Sequence, residues 1–344
     1  MISALQSLKY PNILSFAMAI LLSVSITIAS FLPLLVLGSP VPVPQAYTPE
    51  PYSYPEPEPC HGNCSWVHDP SIFYEDGVYW RFVTSGNIGV SVAQSLNGPW
   101  EYRGALLHEG TKIQLRDDQD IWAPSISKRD DTYYAHYSVS FFGSQNSEIG
   151  VASSTSLKPG TWTDHGSMQL PLSTAYNLID PYVFRDGEDS DAPTYFTWGS
   201  YWSGIQQIEL AHHSELLAWA GNEADIVNII SNTTSSPSVV EGAIQWKKDK
   251  WYYIFFSVGQ CCRTEKELAL PGDEYHVVVC RSNAATGPYF DRNAKDCTKD
   301  NGGTTILASH GDIYAPGGQG ILVHPDNGKT VMYYHYGKVN SGQL

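Results

Sequence analysis

One unit recurs five times along the chain and restricts its fold more than any other feature. Each copy has an acidic or Pro-containing opening, a short apolar run, a turn, and a second run holding paired aromatics. The copies are His68-Asp69-Pro70-Ser71-Ile72-Phe73 with Tyr79-Trp80; Ala123-Pro124-Ser125-Ile126 with Tyr133-Tyr134; Ile179-Asp180-Pro181-Tyr182-Val183-Phe184 with Tyr195-Phe196; Val240-Glu241-Gly242-Ala243-Ile244 with Tyr252-Tyr253; and Ala315-Pro316-Gly317 through Ile321-Leu322-Val323 with Tyr333-Tyr334. A second half-repeat follows several of them, as in Ile88-Gly89-Val90-Ser91 leading to Gly98-Pro99-Trp100. Alternating hydrophobics bounded by Asp-Gly, Asn-Gly and Pro-Gly turns indicate strands rather than helices. Units of four short strands, each about 55 to 75 residues long, predict an all-β fold, a five-bladed β-propeller. Most of the aromatic pairs then serve as packing between blades. The fifth copy lacks its second half, since only His335 to Leu344 follow Tyr334. The last blade is therefore expected to be incomplete.

Charge narrows the partners. The formal net charge is −15, and Lys and Arg do not cluster, which excludes the phosphate backbone of nucleic acid as a partner. The same balance disfavours capture of an acidic polysaccharide, leaving a neutral substrate. Residues 1–38 read as a signal peptide or a signal anchor: Lys9 precedes an uncharged, mostly apolar run from Ile13 to Leu37, and either reading exports the remainder of the chain. A membrane is a partner only if that segment is retained. Residues 39–59, rich in Pro, Glu and Tyr, read as an extended linker, and residues 60–344 as the propeller. Cys60, Cys64, Cys261, Cys262, Cys280 and Cys297 form an even set, which in an exported chain favours disulfides over metal ligation. Cys60 with Cys64 is one candidate bridge; the pairing of the other four is open. Asn63-Cys64-Ser65 and Asn232-Thr233-Thr234 are glycosylation sequons.

The chemistry is expected on the channel axis, where the blade-opening strands begin. Three openings carry a carboxylate, Asp69, Asp180 and Glu241, and equivalent positions in a repeat bring them to one cavity. An Asp-Pro opening can also do no more than cap a turn. Three on one rim point instead to glycoside hydrolysis, in which one carboxylic acid protonates the leaving oxygen and a carboxylate activates water. No nucleophile elbow, phosphate loop or metalloprotease motif competes.

The segments Val67-His68-Asp69-Pro70, Asp120-Ile121-Trp122-Ala123-Pro124, Tyr176-Asn177-Leu178-Ile179-Asp180 and Val240-Glu241-Gly242-Ala243 resemble those of family 43 glycoside hydrolases, most closely the fungal arabinan endo-1,5-α-L-arabinosidases. Ser140 to Gln145, Gly199 to Trp202, the adjacent Cys261-Cys262, and His310-Gly311 through Pro316-Gly317-Gly318-Gln319-Gly320 extend the likeness over about residues 60–337. The resemblance implies an inverting endo-hydrolase of arabinan, with Asp69 as general base, Glu241 as general acid, and Asp180 tuning and orienting the acid. It implies substrate contacts from Gly143, Asn177, Leu178, Ile179, Asp180, Ser200, Tyr201 and Trp202, with Trp122 and Trp202 stacking on sugar faces. It also implies that His335, in Tyr334-His335-Tyr336, helps hold one calcium or sodium ion near the axis, with no organic cofactor, in a monomer. Two features depart from the family pattern: Pro181 follows Asp180 where Gly is usual, and the final strands after Tyr334-His335-Tyr336 are missing. The alternatives are an exo-acting arabinofuranosidase or β-xylosidase of the same family, and a non-catalytic sugar-binding propeller.

Overall fold

The computed structural model describes residues 53–199, 201–233, 239–262 and 267–338. The expected signal segment and most of the linker lie outside these residues. From Ser53 to Pro59 the chain has no regular secondary structure.

Strands begin where left-handed turn residues allow tight hairpins. β1 (Ser71–Glu75) and β2 (Val78–Val83) are joined by Asp76-Gly77, both at positive φ, the conformation of a type I′ hairpin turn. They continue into β3 (Gly89–Ala93) and β4 (Glu101–Ala105), giving one sheet in the order β1-β2-β3-β4. The second sheet is β5 (Asp120–Arg129), β6 (Thr132–Ser140), β7 (Glu148–Ser154) and β8 (Thr163–Ser167). The third is β9 (Tyr182–Arg185), β10 (Thr194–Trp198), β11 (Ile205–Leu210) and β12 (Val227–Ile230). The fourth is β13 (Val240–Lys248), β14 (Trp251–Val258), β15 (His276–Ser282) and β16 (Thr304–Leu307). Every pairing within these sheets is antiparallel.

The expectation of five blades is corrected by the fifth repeat. It forms a two-stranded sheet, β17 (Ile313–Val323) with β18 (Thr330–Lys338), so four blades are complete. Nonetheless the first strands neighbour one another in a closed sequence, β1 to β5, β5 to β9, β9 to β13, β13 to β17 and β17 back to β1.

The core lies between blades, which is why β6, covered on both faces, is buried along nearly its whole length instead of alternating. Phe82, Val90, Ile121, Tyr137 and Val139 fill the seam between blades one and two. Ile149, Val151, Phe196, Trp198 and Ile208 fill the next, and Ile205, Val240, Ile254, Phe256 and Tyr289 the third. The cysteines pair as Cys60–Cys64, Cys261–Cys262 and Cys280–Cys297, resolving the pairing that the sequence leaves open. Among the described residues no helix is long and apolar enough to cross a membrane.

Candidate active site

Each repeat opens on a kink. Asp69, Ala123, Asp180, Gly242 and Ala315 all have positive φ, between 43° and 61°. For the four non-glycine residues this left-handed backbone costs about 1–2 kcal/mol each. A side chain takes the backbone N–H at every one. Asp69 donates to His335 Nδ1 at 3.1 Å, Ala123 to Thr84 Oγ1 at 2.9 Å, and Asp180 to Ser138 Oγ at 2.9 Å. Gly242 donates to Asp180 Oδ2 at 2.9 Å, and Ala315 to Ser309 Oγ at 3.0 Å. Thr84, Ser138 and His335 stand at or just past the second strands of their sheets, so each sheet latches onto the first strand of its neighbour. The hydroxyls of Thr84, Ser138 and Ser309 carry no recognisable sequence signal, and sequence reasoning missed them; the sequence singles out His335, but not as the partner of the Asp69 N–H.

The kink also corrects the equivalence expected among the carboxylates. Register shifts fall between Trp122 and Ser125, Glu241 and Ile244, and Tyr314 and Gly317. Glu241 therefore aligns with Trp122 and Tyr314, one residue before the kink occupied by Asp69 and Asp180. Glycine at 242 permits the turn there, while Glu241 leaves the strand from its own position.

The three carboxyls nonetheless meet electrostatically. Burial, and then the charge of Asp69, push Glu241 up to about 7. Tyr275 donates its hydroxyl to Glu241 Oε1 at 3.0 Å; burial, then the nearby carboxylates, hold that phenol well above its ordinary range, so it stays a neutral donor. Asp69 behaves oppositely. Burial would raise it, but His68, hydrogen-bonded at 2.7 Å, then His335 and Thr84, hold it well below the usual carboxylate range. His68 is affected first by burial, which lowers it, but the Asp69 carboxylate outweighs this and holds the imidazole above its ordinary value. Burial, then the charges of Glu241 and Asp69, lift Asp180 well above the ordinary range. Near neutrality the firm negative charge of the trio thus sits on Asp69. The charge that raises Glu241 is that of Asp69, while Asp180 acts on the backbone beside Glu241 through Gly242 N–H.

The other expected site residues are spread around this centre. Tyr201 and Trp202 are partly exposed and adjoin each other edge to face, and Tyr201 N–H donates to the Val240 carbonyl beside Glu241. Trp122 is half-buried, with its indole N–H 3.2 Å from Asp120 Oδ2. Gly143 lies on an exposed turn. Asn177, Leu178 and Ile179 are buried, with the Asn177 side chain accepting from Ser147 and Leu178 packed in the core between blades two and three. Ser200 lies outside the described residues.

The fifth sheet supplies a polar brace. Gln319 Nε2 donates to the Gly242 carbonyl at 2.7 Å and its Oε1 accepts from Ser257 Oγ at 2.7 Å, while Gly318 N–H donates to the same Ser257. A Cβ at Gly318 would lie 2.5 Å from His335 Nδ1 and 2.6 Å from Asp69 Oδ1, which explains glycine in Pro316-Gly317-Gly318-Gln319-Gly320.

His68, Asp69 and His335 bring ligand-type atoms within 4.8 Å of one another. Burial, then the charge of His68, push His335 down to about 3, so its ring is neutral. Because Nδ1 accepts from Asp69 N–H, that ring carries its proton on Nε2, which is buried and has no protein partner. As placed, His335 does not fit direct ligation of a cation; its Nε2–H suits an oxygen acceptor.

The model of the family described as glycosyl hydrolases family 43 matches residues 65–343. Arabinan endo-1,5-alpha-L-arabinosidase A of Aspergillus aculeatus is 44% identical over 281 residues, covering 80% of this chain and 84% of that protein. A probable arabinan endo-1,5-alpha-L-arabinosidase C of Aspergillus flavus is 42% identical over 285 residues, covering 82% and 85%. Among solved structures, a family 43 endo-arabinanase from Bacillus licheniformis matches with TM-score 0.65 and 27% identity, over 81% of this chain and 96% of that one. An exo-1,5-alpha-L-arabinanase from a bovine ruminal metagenomic library also matches with TM-score 0.65 and 27% identity, over 78% and 87%. Matched by the family model over residues 65–343 and alike over most of its length to the arabinosidases above, this chain belongs to family 43 of the glycosyl hydrolases.

Proposed function

We propose that this hydrolase cuts internal α-1,5-L-arabinofuranosidic bonds of arabinan, with inversion, during breakdown of plant cell-wall polysaccharide. The observation that carries the chemistry is the contrast in surroundings of two neighbouring carboxyls. Asp69 is hydrogen-bonded to His68 and Thr84, which favour its ionised form, while buried Glu241 meets the Tyr275 hydroxyl and is raised by burial and by Asp69. Asp69, ionised, takes a proton from the attacking water; Glu241, protonated, gives its proton to the oxygen that leaves. Each turnover leaves Asp69 protonated and Glu241 ionised, and exchange with solvent resets both. Asp180 orients the acid through the Gly242 N–H, and Tyr275 holds the Glu241 carboxyl by one oxygen. Tyr201, Trp202 and Trp122 offer aromatic surface to the sugars, with Gly143 and Asp180 as further candidate contacts. A calcium or sodium ion near the axis would be held largely through its own water shell, with His68, Asp69 and His335 as the grouped side chains on offer, and no step depends on it.

The substrate is inferred from the endo-arabinosidases most alike in sequence. Structural likeness alone does not separate endo from exo action, since arabinanases of both kinds share the fold. We read the two-stranded fifth sheet as the fifth position of a five-membered ring, and the protein as a secreted monomer. Pairing of all cysteines among the described residues suits an oxidising compartment. Incubation with linear 1,5-arabinan tests the reading. Early short oligosaccharides with a rapid fall in viscosity support endo action. Single arabinose units with slow viscosity loss favour the exo alternative, and no product from folded protein overturns catalysis in favour of a binding propeller.

A further inference from the structure

The disulfide between neighbours Cys261 and Cys262 lies beside the catalytic groups. It sits in the loop leaving β14, the strand that ends at Val258 opposite Val240, one residue before Glu241. Both sulfurs lie within 4.8 Å of a ring nitrogen of His68. Cys261 also packs against the cluster of Tyr275, Tyr314 and Ala315.

Three rings span the space between those contacts. His68 stacks on His335, with centroids 4.1 Å apart and planes 20° apart. His335 lies nearly parallel to Tyr275, at 6.0 Å and 10°. The end rings each hold a catalytic carboxyl: His68 bonds to Asp69 at 2.7 Å, and Tyr275 to Glu241 at 3.0 Å. The disulfide therefore lies close to the His68 ring at one end of the stack, and Cys261 packs on the cluster that contains Tyr275 at the other.

Its contribution to global stability is small by the usual argument. Disulfide stabilisation grows with the loop closed, and this bridge has a sequence separation of 1, against 17 for Cys280–Cys297. What a ring closed between two adjacent residues does supply is a stiff local surface.

We propose that Cys261–Cys262 is a positioning clamp: it brackets the His68–His335–Tyr275 stack and so sets the placement of base and acid relative to each other. The clamp rests on the proposed arabinan hydrolysis, because it acts through Asp69 and Glu241. Misplacing a reacting group by about 1 Å costs on the order of 100-fold in rate, so loss of the clamp is expected in kcat more than in KM.

The test compares the wild-type protein with Cys261→Ser/Cys262→Ser and Cys280→Ser/Cys297→Ser. For the first double variant kcat on linear 1,5-arabinan falls about 10- to 100-fold, with KM and Tm nearly unchanged. The second lowers Tm and keeps kcat. An unchanged kcat in folded Cys261→Ser/Cys262→Ser overturns the clamp, and so does a rise in KM alone, which would mark a wall of the cleft. If that variant does not fold, wild-type protein is partly reduced and alkylated, and activity is followed against labelling mapped to each cysteine. Loss that tracks labelling of Cys261 and Cys262 supports the clamp, while loss that tracks another pair overturns it. Failure of oxidised wild-type protein on arabinan would instead sink the proposed reaction. The clamp is then read without substrate, from the His68 and His335 ring signals in NMR, which shift on loss of the bridge if it brackets the stack and stay fixed if it does not.

Discussion

The seam between the second and third blades is filled by Ile149, Val151, Phe196, Trp198 and Ile208, with Trp198 wholly buried. The two seams of the fifth sheet are built differently. On one side, Tyr275, Tyr314 and Ala315 form a small apolar cluster beside the Ser257–Gln319–Gly242 hydrogen bonds. On the other, Asp69 N–H meets His335 Nδ1, Ile72 N–H meets the Tyr333 hydroxyl at 3.1 Å, and two histidine rings stack. Apolar burial is non-directional and tolerates small shifts; hydrogen bonds fix orientation. The first kind of seam holds the ring together, and the second aligns the groups proposed to react.

That division predicts which substitutions separate activity from stability. The largest effect is expected from Glu241→Gln, which leaves every seam in place. Turnover on arabinan should fall roughly 10²- to 10⁴-fold while arabino-oligosaccharide binding by calorimetry persists; full activity would remove Glu241 as the acid. Next is Trp198→Ala, which empties an apolar seam. It should cost about 3–5 kcal/mol in chemical denaturation and leave kcat of the folded fraction unchanged. A matching loss of kcat would break the division.

Gln319→Ala probes the opposite case. Losing the bonds to Gly242 and Ser257 should cost about 1–3 kcal/mol, yet kcat should fall several-fold because the backbone beside Glu241 is released. A stability loss with kcat intact would make the fifth sheet mere packing. The smallest effect is a pH dependence of stability. Glu241 titrates at about 7 in the folded chain, above its ordinary range, so the folded state keeps a proton that the unfolded state releases. The stability this gives is full below the ordinary glutamate range and is lost as pH rises through about 7. Activity should decline over the same upper limb as the acid loses its proton. The part of this pH dependence that belongs to Glu241 should be missing from Glu241→Gln, leaving a smaller step from the raised Asp180, when Tm is followed from pH 4 to 8.

Much of this was legible because a propeller repeats itself. The paired aromatics mark second strands, as Tyr133-Tyr134 in β6 and Tyr252-Tyr253 in β14 do, and the openings lead to Asp69, Asp180 and Glu241. The one-residue offset of Glu241 was hidden because the Val-Glu-Gly-Ala opening reads like the Asp-Pro ones until the bulge is seen. Thr84 and Ser138 were invisible, since a single hydroxyl in a strand has no periodicity, and its value here comes from a partner in the next sheet. The Cys261–Cys262 pairing escaped for a related reason: composition fixes that cysteines pair, and only coordinates fix which.

The bond from Asp69 N–H to His335 carries a consequence in time. Its partners are 266 residues apart, so it can form only after the four complete sheets between them have been made. The Asp69 carboxylate finds His68 and Thr84 close by in sequence, but its backbone N–H waits for the fifth sheet to meet the first. A chain made only as far as the fourth sheet has all three carboxyls and lacks the bond that fixes the Asp69 backbone, which ties the final geometry of the proposed base to arrival of the fifth sheet.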